Sequence, residues 1–276
     1  MHTNTPLLIA RPAMSPQPGR PLVGSRVGLG ALLLTAGSSL ALLHAVSLPV
    51  PNASFESPAP PPGFPASPVI DDWLKTPQPI WFDPAATGGI TWSQLSGVFP
   101  NTPVGADDHI ANVHLNQAAY LFALPEVGLY QDLDARYQAG FAYTMTVGLM
   151  GGGGIPEGNT IGLSLYYRDG AGSLVPVTTS TVAYAPANFP TARTLYDFSA
   201  SVPTVQPGDA WEGQNIGVLL LSTSGTGVGY WDADHVRLTV VPEPAAHHLL
   251  WVGLGALLLA RRRRASPRSP APGKRP

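Results

Sequence analysis

Apolar and polar residues alternate with a period of two along most of the middle of the chain. Residues 141–149 read Phe-Ala-Tyr-Thr-Met-Thr-Val-Gly-Leu. That order puts Phe141, Tyr143, Met145, Val147 and Leu149 on one face and Ala142, Thr144, Thr146 and Gly148 on the other. Residues 161–168 repeat the pattern, with Ile161, Leu163, Leu165 and Tyr167 together. Asp169-Gly170 then tolerate positive φ and predict a hairpin tip before a return strand over 174–182. Shorter runs at 119–122 and 129–133 predict two further strands. Residues 216–221 are nearly all apolar and predict a central strand, and 230–240 closes the series. Long helical periodicity is missing, and Gly, Pro, Asn and Asp punctuate the runs. The prediction is an all-β fold, an antiparallel jelly-roll β-sandwich over residues 48–240.

One stretch breaks the alternation. Residues 58–68 hold six prolines, at positions 58, 60, 61, 62, 65 and 68. With so few backbone donors this stretch cannot be a central strand, and it reads as a loop of polyproline character.

The two ends carry a different pattern. Arg11, Arg20 and Arg26 precede an apolar run over 27–43, followed by the small residues Ala45 and Ser47. That is the layout of a secretory leader over residues 1–47. At the other end come Val241-Pro242-Glu243-Pro244, an uncharged run of 16 residues over 245–260, and Arg261, Arg262, Arg263 and Arg264, with a basic tail over 265–276. The run is about 24 Å long at helical rise, against a hydrocarbon core of roughly 30 Å. The arginines hold this end on the cytoplasmic side. Polar triplet, apolar helix and arginine cluster over 241–264 resemble the PEP-CTERM sorting signal of exported bacterial proteins. The resemblance implies a partner, an exosortase-type sorting enzyme, and passage through the inner membrane. It also implies membrane anchoring by the C-terminal segment, then residence at the cell surface or in the extracellular matrix.

Charge changes once these ends are set aside. The whole chain carries −2, but residues 48–241 hold five basic and 16 acidic residues, a net −11. Such a surface repels phosphates, which excludes nucleic acid as a partner, and it favours divalent cations. The chain has no Cys, so disulfides, thiolate metal sites and a thiol nucleophile are excluded.

Several segments of the middle also resemble a known fold family. Asn52-Ala53-Ser54-Phe55-Glu56 opens it, residues 116–121 and 129–133 follow, and Asp234-His235-Val236-Arg237-Leu238 ends it. The succession is similar to the galactose-binding-like jelly rolls of carbohydrate-binding modules. The resemblance implies that the first and last strands meet, with an acidic residue from each holding a structural Ca2+. By motif those residues are Glu56 and Asp234. Asn52 and Asp232 are further candidate ligands, Asp232 because it projects to the same side of an extended strand as Asp234.

Other chemistry fails on spacing. His109 and His114 have opposite strand parity. Gly151 to Gly154 lacks the Lys-Ser/Thr ending of a phosphate loop. Residues 162–166 end in Tyr rather than the Gly of a nucleophile elbow. Trp211, Tyr230 and Trp231 are candidates for stacking on sugar rings. The expectation is a non-catalytic exported surface or matrix protein, sorted by a PEP-CTERM and exosortase system and associated with exopolysaccharide. The alternatives are a carbohydrate-binding module with a defined glycan site, or a glycan-active hydrolase.

Overall fold

Strands form where the alternation is strongest, and they lie in two antiparallel sheets. The structure, a computed structural model, describes residues 44–243. In chain order the strands are β1 (Val46–Leu48), β2 (Leu74–Lys75), β3 (Ser96–Pro100), β4 (Gln117–Phe122), β5 (Gly128–Arg136), β6 (Phe141–Gly152), β7 (Thr160–Arg168), β8 (Leu174–Ala183), β9 (Tyr196–Val202), β10 (Asn215–Ser222) and β11 (Tyr230–Pro242). Helical geometry among the described residues is confined to two 3-10 turns, Pro84–Thr87 and Trp92–Gln94.

The first sheet has the order β3-β4-β11-β6-β9, with β1 also paired to β11, and the second the order β2-β5-β10-β7-β8. From β4 to β11 the chain crosses between the sheets at every connection except the β7–β8 hairpin, which stays in the second sheet. The nearly all-apolar β10 is the middle strand of the second sheet, as its composition predicted. The inner faces carry the predicted residues. Tyr143, Met145, Val147 and Leu149 of β6 pack in one cluster with Ile161, Leu163 and Leu165 of β7 and with Ile216, Val218 and Leu220 of β10. Each such burial stabilises by about 1.5–3 kcal/mol.

Several expectations need amendment. Tyr167 is only half-buried, whereas its neighbour Tyr166 on the opposite face is fully buried, its ring lying against Gly217 of β10. The turn after β7 closes with Gly172 N–H donating to Asp169 O at 2.9 Å, and the left-handed residue is Gly172 at φ 81°, not Gly170. The leader expected over 1–47 overlaps the sheet, because Val46 and Ser47 belong to β1 and pair with Val240 and Thr239. No helix among the described residues is long and apolar enough to cross a membrane. The leader run at 27–43 and the sorting run at 245–260 both lie outside the described residues.

Strand β11 contains the irregularity that matters most. Trp231 and Ala233 face the core, and so do Val236, Leu238 and Val240, so the inward parity switches from odd to even. A bulge between Asp234 and Arg237 makes the switch, with His235 at φ 53°. Without it, His235 and Arg237 would point into the core. An extra residue re-aims every side chain after it, and here it places an imidazole and a guanidinium outside.

Candidate functional site

The face of the first sheet turned away from the second carries two adjacent groups of polar and aromatic side chains. Directly opposed residues of an antiparallel sheet share a face. One row across three strands is Phe122, Tyr230 and Gly152, and the next is Tyr120, Asp232 and Met150. Glycines let the rings lie flat. A Cβ on Gly97 would come within 2.6 Å of the Tyr120 hydroxyl, and one on Gly152 within 2.5 Å of the Tyr230 ring. Ring centroids of Tyr120 and Phe122, and of Phe122 and Tyr230, are 6.2 Å apart, and all three rings are half-exposed.

Asp232 lies in the second row and is only 1% exposed. Its Oδ1 is buried with no hydrogen-bond partner. Burial pushes its carboxyl well above the usual carboxylate range, which favours the protonated acid. The phenol of Tyr230 is pushed up too, by burial first and then by the neighbouring Asp232. A buried carboxyl with a raised pKa and no hydrogen-bond partner is a candidate functional group. The sequence alone placed Tyr120 and Phe122 only on a strand, because nothing in a single chain shows which carboxyl will be sealed beside which ring.

The second group surrounds Asp234, which is fully buried. Its Oδ2 accepts from His114 N–H at 2.5 Å and its Oδ1 from His235 N–H at 2.6 Å. Burial raises its pKa to about 7 against these two donors, and Glu56 adds to the rise. Glu56 Oε1 accepts from the N–H groups of Asn116 and Gln117 at 2.8 Å each. His114 accepts or donates through Nδ1 at 2.6 Å from Ser54 Oγ, and its ring stacks on that of His235 with centroids 4.3 Å apart.

The predicted calcium ligands therefore separate. Glu56 is near enough to Asp234 to help raise its pKa, and Val236 N–H donates to Ala53 O at 2.8 Å. Asn52 does not join them. Its Oδ1 accepts from Ser57 N–H, and its amide donates to the carbonyls of Ser57 and Asp71, so it is committed to closing its own loop. Asp232 shares the face of Asp234 but leans toward Gly152, with Oδ2 3.0 Å from where a Cβ on that glycine would sit. Two carboxylates remain, and no group of three or more His, Asp or Glu among the described residues is arranged to hold a metal. Calcium takes six to eight oxygens, so backbone carbonyls and water would have to supply most of them.

The candidate sugar-stacking residues separate as well. Trp231 is fully buried on the core face of β11, because the strand's parity turns it inward, and so it cannot meet a ligand. Trp211 is half-buried against the core, with its indole N–H buried and unpartnered. Tyr230 is half-exposed and stands in the aromatic row. Of the sorting motif, Pro242 ends β11 opposite Phe141, and Glu243 N–H donates to Gly140 O at 2.7 Å. Pro244 and Arg261, Arg262, Arg263 and Arg264 lie outside the described residues.

The sandwich is similar to that of cyclases from Fischerella sp. One, from Fischerella sp. TAU, aligns with a TM-score of 0.56 at 22% identity, covering 73% of this chain and 100% of that one. A Stig cyclase, Fisc, from Fischerella sp. TAU in complex with (3Z)-3-(1-methyl-2-pyrrolidinylidene)-3H-indole aligns at 0.54, with the same identity and coverage. The xylan-binding CBM22-1 domain of Paenibacillus barcinonensis Xyn10C aligns at 0.35 with 12% identity, covering 54% of this chain and 83% of that one, too low to carry an argument. No protein-family model matches the chain, and no curated protein does. At 22% identity the likeness establishes the fold. It also corrects the expectation of a protein without catalysis: the cyclases that share this sandwich are enzymes, so the fold itself does not argue against catalysis.

Proposed function

We propose that this chain is an exported protein whose sandwich takes up a small unsaturated ligand against Tyr120, Phe122 and Tyr230 and delivers a proton to it from Asp232. The observation that carries the reading is the sealed, unpartnered carboxyl of Asp232, opposite Tyr120 and one row from Phe122 and Tyr230. A carboxyl whose acid form burial favours is suited to donate a proton. In the forward step the O–H bond of Asp232 breaks and a bond from that hydrogen to a ligand carbon forms. The carboxylate left behind pairs with the cation it has made, and the aromatic faces stabilise the same cation. Loss of a proton from the ligand to the carboxylate closes the cycle. Asp232 is 1% exposed, so a ligand reaches it only when a neighbouring side chain moves.

A Fischerella cyclase of this fold has been seen in complex with 4-(1H-indol-3-yl)butan-2-one, at a TM-score of 0.50. That ketone is a suitable probe here. Hydrogen–deuterium exchange at its indole carbons, followed by NMR in D2O, is expected to be accelerated by the wild-type protein and not by Asp232→Asn. Equal exchange with both proteins overturns the reading.

A second reading rests on the half-exposed rings alone. Tyr120, Phe122 and Tyr230 also suit the faces of sugar rings, as a carbohydrate-binding module requires. Glycan-array binding that is lost in Tyr230→Ala and kept in Asp232→Asn favours this reading. Either way the domain is carried outward as a PEP-CTERM protein, sorted by an exosortase-type enzyme and retained near exopolysaccharide. A structural Ca2+ between Glu56 and Asp234 belongs to the same proposal.

A further inference from the structure

The proline-rich segment that breaks the alternation is pinned to the first sheet. Ser67 and Val98 of β3 exchange backbone hydrogen bonds at 2.8 Å each way, and ahead of that anchor the segment turns, with Phe64 N–H donating to Pro61 O at 3.0 Å. Between this turn and the paired ends of β3 and β4, where Pro100 faces Gln117, lies a cavity of about 410 Å³. That volume is within the range of small-molecule sites. Its walls include Pro60, Pro61, Pro62, Phe64 and Pro100, and Glu56 stands among them. Glu56 is half-buried, and its two oxygens differ. Oε1 accepts from the N–H groups of Asn116 and Gln117 at 2.8 Å each, which fixes the side chain. Oε2 meets only the Asn116 amide at 3.5 Å, too long a contact to satisfy it. Phe64 is 64% exposed, so its ring is available at the rim.

We propose that this cavity binds a trimethylammonium group, as choline carries. The cation sits by Glu56 Oε2, its methyls pack on the proline rings, and the face of Phe64 covers it. The wall is one carboxylate set in carbon, and that composition selects the ligand. A primary ammonium brings three N–H donors, most of which such a wall leaves unmade. A trimethylammonium has no N–H, and its methyl groups gain by leaving water. A neutral molecule of the same shape packs as well but leaves the carboxylate without a counter-charge. The acidic surface of residues 48–241 draws cations of every kind, whereas the proline wall is particular to this place. Calcium proposed at Glu56 and Asp234 would compete with the ligand for one carboxylate. A free choline and the headgroup of phosphatidylcholine present the same chemistry.

The test is isothermal titration of the full chain with choline, in the presence of a chelator so that no calcium holds Glu56. Two comparison compounds divide the recognition: methylammonium has the charge without the methyl shell, and the alcohol in which carbon replaces the nitrogen of choline has the shell without the charge. Choline is expected to bind at least about tenfold more tightly than either. It should lose about tenfold in Glu56→Gln, whose amide oxygen still accepts from Asn116 and Gln117, and a few-fold in Phe64→Ala. No binding, equal binding of either comparison compound, or unchanged affinity in Glu56→Gln overturns the proposal. Should Glu56→Gln not fold, unchanged affinity in Phe64→Ala, an exposed position, overturns it instead. Choline binding lost in Tyr230→Ala and kept in Phe64→Ala also overturns it, because the ligand then lies on the aromatic row. Sedimentation with phosphatidylcholine vesicles separates the two sources. Capture that free choline reverses supports the site and assigns the headgroup, and choline binding without capture supports it with a soluble ligand.

Discussion

Val46 and Val240 face each other across the antiparallel pair of β1 and β11, so the chain enters and leaves the sandwich side by side. A leader cut after Ser47 would remove two of the three residues of β1 and bare the edge of β11 at Thr239 and Val240. Mass spectrometry of the mature protein should therefore find its first residue at or before Val46. At the other end, Pro242 is still paired and Glu243 is still hydrogen-bonded, so processing is expected after Glu243. A chain beginning at Leu48 should melt several degrees below one beginning at His44.

The Asp234 carboxyl gives the domain a pH dependence whose sign is opposite to that of an ion-paired acid. Its folded pKa, about 7, lies above the ordinary 3.8. The folded state binds the proton more tightly, so its contribution is whole below about pH 4 and is lost as pH rises through 7. Within that window stability should fall by about 1.4 kcal/mol per pH unit, or roughly 2–4 °C of Tm per kcal/mol for a domain of this size. Calcium competes with the proton for the same carboxyl. A chelator should therefore lower Tm at pH 8 and leave it unchanged at pH 5. A chelator without effect at both values removes calcium from the proposal.

The core was legible in the chain because it depends on parity. Seven strands were readable to within a few residues, from 119–122 to 230–240, since apolar side chains at i and i+2 have one way to reach a common interior. The short β1, β2 and β3 were missed, and so was the edge strand β9, although Tyr-Asp-Phe-Ser-Ala-Ser-Val alternates strictly at period two. Chain order put Glu56 near Asp234, whose pKa it helps to raise, but whether the pair is a site is part of the proposal. The facing of β11 was misread where it depends on a single inserted residue. The bulge at His235 reverses the facing of everything after it, and its one mark in the chain is the step of apolar positions from 231 and 233 to 236, 238 and 240, which a reading of 230–240 as a single plain strand passes over. Trp231 failed as a ligand-contacting residue for the same kind of reason, since one position decides whether an indole lies inside or out.

Tyr166 and Gly217 make a tight local lock in the second sheet. The Tyr166 hydroxyl donates to Asp132 Oδ1 at 2.8 Å, Arg168 Nε donates to the same carboxylate at 2.9 Å, and the ring lies across Gly217, where a Cβ would come within 2.1 Å of it. Gly217→Ala must displace a buried ring and its hydrogen bond together. A loss of about 3 kcal/mol is expected, read as a lower denaturant midpoint with an unchanged m-value.

Asp232 and Asp234 can be told apart by where their pH effects end. Both carboxyls are raised by burial, so each makes the folded state weaker as pH rises above about 4. The loss from Asp234 is complete near pH 7. Asp232 is more deeply sealed and has no hydrogen-bond donor to favour its anion, so its loss should continue at higher pH. In Asp234→Asn the fall in Tm below pH 7 should shrink while a slope above pH 7 remains. Asp232→Asn should do the reverse, flattening the alkaline limb and melting above the wild type at pH 8, because an amide of the same shape never ionises. It should change little at pH 4, close to the ordinary value of 3.8, because the proton is only beginning to leave the unfolded chain there. A variant that instead destabilised the domain equally at pH 4 and pH 8 would show that Asp232 is held as an ordinary packing residue, and its role as a stored proton would fall with that result.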